Sequence, residues 1–186
     1  MSPLSLNNLT EKQLIASCME GDRYACKQLF DMYSSRMMAV CYRFARDRNE
    51  AEDILQEGFI RIFTKLHLYS GTGSFEAWMK RVFINMAIKY RERNITKHNF
   101  SEIDNLHIID STPSIIEELS KEEILRVIQE LPDGYRTVFN LYVLEGYSHK
   151  DIGQMLNIGE STSRSQLVKA RNLLKQKLNN KIKLTG

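Results

Sequence analysis

Apolar positions recur along this chain at three- and four-residue spacing, the pattern of helices that bury one face. Thr10 and Gln13 have capping-box spacing, so a first helix is expected to open there and to stop at Gly21. Asp22 can cap a second helix, whose inner face is Cys26, Leu29, Phe30, Tyr33, Met37, Val40, Cys41 and Phe44. The pattern breaks at Arg48-Asn49, and Asn49 is the expected cap of a third helix with Ala51, Ile54, Leu55, Phe59, Ile62, Phe63 and Leu66 turned inward. His67 to Gly73 has no period and two glycines, which reads as a loop. Ser74 then caps a fourth helix through Phe75, Trp78, Met79, Val82, Phe83, Met86, Ala87 and Tyr90.

Periodicity weakens from Asn94 to Pro113, which ends on the turn-forming run Asp110-Ser111-Thr112-Pro113. Ser114 and Glu117 again have capping-box spacing, and a helix follows through Leu119, Ile124, Val127, Ile128 and Leu131. Pro132 ends it and can sit in the first turn of the next, which runs through Val138, Leu141, Tyr142 and Leu144 to Gly146. Two more helices follow, and no stretch alternates as a strand would. The expected fold is all-α: two small helical domains, 9–93 and 114–180, joined by a flexible linker at 94–113.

The stretch Tyr147 to Gly159 carries the most specific pattern. Ser148 can cap a short helix, with Asp151 three residues on, and Ile152, Met155 and Leu156 face inward. Gly153 leaves room for a close crossing, Asn157 tolerates the left-handed conformation of a tight turn, and Ile158 plugs the core. A second helix starts near Gly159 or Glu160, with Ser163, Leu167, Ala170 and Leu174 inside and Ser161, Arg164, Ser165, Val168, Lys169 and Asn172 outside. This is the layout of a helix-turn-helix, whose second helix reads the major groove. Arg and Lys donate to guanine edges or phosphates, and Ser or Thr at a helix start can hold phosphate.

Charge adds to that reading. Tyr147 to Gly186 carries eight basic residues against two acids, whereas Arg93 to Gly146 carries five against ten, so the modest net charge of +3 hides a basic C-terminal surface extended by Arg171, Lys175, Lys177, Lys181 and Lys183. Cys18, Cys26 and Cys41 form no CxxC pair and have no His at ligand spacing; they are expected to be reduced helix residues of a cytoplasmic protein, with no metal and no cofactor. Met1 to Gln13 lacks the basic-then-apolar order of an export signal, and no run of about 18 apolar residues would span a membrane, so no membrane insertion is expected.

On these residues the chain resembles extracytoplasmic-function (ECF) sigma factors of bacterial RNA polymerase. Leu131-Pro132 and Gly146-Tyr147-Ser148, with the helix-turn-helix behind them, resemble region 4. Ala51 to Phe63 resembles the region 2 helix that docks on polymerase, and Phe75 to Ala87 the helix that melts the promoter. The resemblance runs from about Leu9 to Leu178. It implies that Asp53, Gln56, Glu57 and Arg61, which share one helix face by spacing, grip the β′ clamp coiled coil of core polymerase, while region 4 meets the β flap. It implies that Tyr69, Lys80, Arg81, Asn85 and Lys89, with Arg91 and Arg93, meet the opened −10 strand, where positive charge and ring ledges suit single-stranded DNA. Ser161, Thr162, Arg164, Ser165, Val168, Lys169 and Arg171 then face the −35 element. An anti-sigma factor is the implied silencing partner, and the free chain is expected to be a monomer. Ser163 stands where the family usually has an apolar residue, Gln166 where Arg is common and Gly159 where Ser often caps.

Two other classes fit less well. A regulator with a sensing domain would need strands or a ligand pocket before Arg93, where the pattern is helical. An enzyme would need a nucleophile-base grouping or a phosphate loop, yet His67, His98, His107 and His149 are scattered and no Gly-rich loop follows a strand.

Overall fold

The computed structural model describes residues 9–95 and 121–185. The expected linker beyond Ile95, the Ser114–Glu117 capping box and Leu119 lie outside the described residues, as do the side chains of Arg93, Lys181 and Lys183. Eight α-helices are described: α1 (Glu11–Met19), α2 (Arg23–Phe44), α3 (Arg48–Thr64), α4 (Phe75–Ile95), α5 (Lys121–Gln129), α6 (Asp133–Phe139), α7 (His149–Leu156) and α8 (Glu160–Thr185). A short 3-10 turn, Leu66–Leu68, follows α3, and a π-helical segment, Asn140–Leu144, follows α6. The described residues hold no strand. Two compact units separate, one built from residues up to Tyr42 and from Asp47 to Ala87, the other from Arg43–Arg46 and from Ile88 onward.

In the first unit the expected caps form, with one exception. Thr10 and Gln13 close a reciprocal capping box on α1, and Asp22 Oδ1 accepts from the Tyr24 amide at 2.8 Å. The cap of α3 is Asp47, whose side chain accepts from the Glu50 amide at 2.8 Å; Asn49, the expected cap, lies inside the helix. A carboxylate at the Asp47 position suits the positive end of the helix dipole. Leu29, Met37, Val40, Ile54, Ile62, Leu66, Phe75, Met79, Phe83 and Ile84 are buried side chains of its core. The aromatic centre is Phe59, whose ring lies 5.3 Å from Phe83, edge to face, and 4.7 Å from Phe30. At Gly58 the Phe83 ring of α4 lies directly against α3: a Cβ there would overlap that ring.

The cysteines depart from expectation. Cys18 and Cys26 are joined as a disulfide, their Cα atoms 5.0 Å apart, where three reduced thiols were expected. Gly21, at φ +90°, folds the end of α1 back onto the start of α2 and brings the two together. Cys41 is a free, buried thiol, pushed up to about 12 by burial, and so is an inert core residue.

The second unit packs α5 and α8 around Val127, Ile128, Leu131, Ala170 and Leu174, with Ile124, Tyr135, Phe139, Leu173 and Leu178 half-buried against them. Pro132 stands at the N-cap position, immediately before α6. Buried Arg136 ties that corner, donating to the Gln129 carbonyl and to Asp133 Oδ1, both at 2.7 Å. The π segment is closed by the Glu145 amide donating to Asn140 O at 3.0 Å, and it leaves Tyr142, Val143 and Leu144 exposed.

Candidate nucleic-acid interface

The helix-turn-helix is built from α7, the turn Asn157–Gly159 and α8. Ser148 caps α7, accepting from the Asp151 amide at 3.1 Å and donating to its carboxylate at 2.6 Å. Asn157 adopts φ 52°, ψ 46°, the left-handed conformation expected of it. The Ile158 amide donates to Gly153 O at 3.0 Å, and a Cβ on Gly153 would lie 2.9 Å from Ile158 O and 3.6 Å from Glu160 N. The absent side chain at Gly153 therefore makes room for the turn itself, and α8 starts directly above it.

Ser163, Leu167, Ala170 and Leu174 are buried on α8, and Ser161, Thr162, Arg164, Ser165, Val168, Lys169 and Arg171 are all exposed. Exposure divides the helix as its spacing requires. Val168 is 55% exposed, an apolar tip amid the polar groups. Arg164 is paired with Glu160 one turn earlier, Ser165 Oγ donates to Thr162 O at 3.0 Å, and the Lys169 ammonium and Arg171 guanidinium each lie 6.0 Å from a tyrosine ring centre, Tyr135 and Tyr142.

Behind this face is a polar contact that sequence inspection passed over. His149 Nδ1 and buried Ser163 Oγ are 2.9 Å apart, and the His149 ring stacks on Tyr142 with centres 4.4 Å apart. Burial, with the Arg164 charge nearby, holds this imidazole below its ordinary 6.5. Scattered histidines gave no sign of it; the signal available was a serine amid apolar inner positions of α8.

On α3, Asp53, Gln56 and Arg61 are exposed and Glu57 is half-buried on the face opposite the core. Ile60, 61% exposed, stands among them. It was not singled out from the sequence, although it falls outside the inner stripe by spacing. Tyr69 is half-buried: its hydroxyl donates to Gly73 O at 2.8 Å and its ring packs 5.1 Å from Phe75 and 5.5 Å from Trp78. Phe75 is core and Trp78 half-buried, stacked on it. Arg81, Asn85 and Lys89 are exposed at four-residue spacing along α4. Lys80 is drawn apart from them, 3.5 Å from Glu76, which also pairs with Arg36. Among the described residues no group of three His, Cys, Asp or Glu could hold a metal ion, and no helix is long and apolar enough to cross a membrane.

The family model for Sigma-70 region 2 matches residues 29–95, and that for Sigma-70, region 4 matches residues 121–174. With both regions present and in order, the chain belongs to the sigma-70 family of RNA polymerase sigma factors, which direct promoter-specific transcription initiation. Its relatives include ECF sigma factors. The ECF RNA polymerase sigma factor SigW of Bacillus subtilis (strain 168) is 29% identical over 182 residues, covering 90% of this chain and 96% of that protein. The RNA polymerase sigma-H factor of Pseudomonas aeruginosa is 27% identical over 180 residues, covering 90% of this chain and 93% of that one. The fold is similar to that of the sigma factor RpoE from Bartonella quintana, solved with the anti-sigma factor NepR: TM-score 0.51, 19% identity, 82% of this chain and 96% of that one covered.

Proposed function

We propose that this sigma factor works through three surfaces. Asp53, Gln56, Glu57 and Arg61 dock α3 on the β′ clamp coiled coil of core polymerase, and Ile60 adds an apolar contact amid them. Tyr69, Lys80, Arg81, Asn85 and Lys89 meet the −10 element and hold its opened strand. Ser161, Thr162, Arg164, Ser165, Val168, Lys169 and Arg171 present α8 to the major groove of the −35 element. The functional domains are 9–93 and 114–180, the linker 94–113 threads between them through the enzyme, and region 4 also meets the β flap. Polymerase supplies all the chemistry. The free chain is a cytoplasmic monomer, silenced by an anti-sigma protein that covers the docking surfaces, as the pairing of the Bartonella quintana factor with NepR encourages.

The observation that carries this reading is the division of α8: four inner positions wholly committed to the core leave a basic, exposed face with one apolar tip. The experiment is run-off transcription with purified chain and sigma-free core polymerase on genomic promoter fragments, with start sites mapped. Lys169→Ala should lower transcription from −35-dependent promoters and leave polymerase binding intact. Asp53→Ala combined with Gln56→Ala should lower affinity for core polymerase while the far-ultraviolet dichroism stays helical. Equal loss of both activities by Lys169→Ala, or undiminished affinity in the double variant, refutes the assignment of that surface.

A further inference from the structure

Ser163 sits on the buried side of α8, in line with Leu167, Ala170 and Leu174. A buried hydroxyl among apolar neighbours costs stability unless it is paired. Its partner is His149, the first residue of α7, at 2.9 Å, and that imidazole lies flat on Tyr142 of the π segment, 19° from parallel. One ring therefore ties α7, α8 and the π segment together. The tie ends one residue before Arg164.

We infer that the His149–Ser163 pair positions α8 for −35 recognition and that acid releases it. The inference rests on the −35 reading given above. From α8, the charged groups facing His149 are Arg164, Glu160 and Arg171; from the π segment it meets the Tyr142 ring. Arg164 and Glu160 are paired and largely offset one another, which leaves the Arg171 guanidinium as the uncompensated charge. An added proton therefore sits in a buried ring beside net positive charge. A released imidazole takes a proton at its ordinary value, whereas the tied one takes it only at lower pH. The tie is then at full strength well above the ordinary value of the imidazole and weakens progressively as pH falls through and below that value. A histidine that merely added positive charge toward DNA would act in the opposite direction, strengthening binding in acid.

The test uses the full chain with core polymerase on two templates: a mapped promoter with its −35 duplex, and a fork template of the same promoter cut back to the −10 element. The ratio of the two transcript yields isolates the α8 contribution. In the unaltered protein this ratio should fall between about pH 7.5 and about pH 6, by at most about fourfold, the limit for protonation of one released imidazole. His149→Gln, which replaces the imidazole by an amide that can still hydrogen-bond but cannot titrate, should hold the ratio flat. Ser163→Ala should lower the ratio already at neutral pH and, by proton resonance of the imidazole, return His149 toward its ordinary titration. That variant keeps the inference testable where His149→Gln does not fold. A flat ratio in the unaltered protein, a parallel fall in His149→Gln, or an unchanged ratio in Ser163→Ala overturns it. Indifference of the unaltered protein to the −35 duplex at every pH would instead remove the reading of α8 itself, and this inference with it.

Discussion

Arg164 is already paired within its own helix: Glu160, one turn earlier on α8, holds its guanidinium, and both side chains are largely exposed. An exposed pair of this kind contributes only about 0.3–0.5 kcal/mol, so releasing it for a phosphate or a guanine costs little. Glu160 also places a negative charge at the edge of the surface proposed to meet DNA, and that repulsion matters more. Glu160→Gln is therefore expected to raise affinity for −35 duplex in the polymerase complex by about twofold to fivefold at low salt, with the gain shrinking as salt rises. Stability should fall slightly, by about 0.3–1 kcal/mol, because Glu160 is the acidic residue in the first turn of α8. A titration of the complex with labelled promoter, beside a thermal melt of the chain, reads both effects. Unchanged affinity would mean that the Glu160 carboxylate does not face the DNA.

Among the elements, what the sequence made legible was what short-range chemistry decides. The capping box at Thr10–Gln13, the Ser148 cap of α7, the stop at Gly21 and the left-handed Asn157 each depend on residues within a few positions, and each is found. Gly153 was legible as a bare position, though it accommodates the turn rather than a crossing helix. What stayed hidden depends on tertiary geometry. Asp47 outcompetes Asn49 as the cap of α3 because of where the chain straightens after α2. The π segment adds one residue to a helical turn, which a three-four pattern cannot register. Cys18 meets Cys26, and His149 meets Ser163, only once the intervening turns have folded. Gly58 belongs with these. On sequence it is a helix-weakening residue inside α3; in the fold it is what lets Phe83, wholly buried, lie against that helix. Phe83 is wedged against Phe59 and cannot swing aside, so Gly58→Ala is expected to destabilise the unit by about 1–3 kcal/mol despite the better helix propensity of alanine, worth about 1 kcal/mol in the other direction. Adding Phe83→Leu should recover part of that loss in denaturant unfolding. A stabilised Gly58→Ala protein would show that the crossing is looser than its geometry indicates.

At the scale of the whole molecule, the α3 and α8 faces differ in electrostatic kind. The proposed docking face of α3, with Asp53, Glu57 and Arg61 around Ile60, carries both signs of charge and an exposed apolar side chain, which suits a protein partner. The α8 face is basic and polar, the chemistry of a phosphate backbone. Salt should therefore separate them. Binding to −35 duplex releases condensed counterions, so its logarithm falls linearly with the logarithm of salt, by about 0.9 for each phosphate neutralised. Lys169→Ala and Arg171→Ala should each lower that slope by about one if each side chain meets a phosphate, and weaken all −35 sequences alike. Arg164→Ala should instead relax discrimination at one base pair, by about 1–3 kcal/mol, if its guanidinium reads a guanine edge once Glu160 lets go. Measuring polymerase-complex binding to a matched set of −35 variants at several salt concentrations distinguishes these roles. Identical slopes in Lys169→Ala and the unaltered protein would leave that ammonium with Tyr135, 6.0 Å from its ring, as an intramolecular contact rather than a DNA contact.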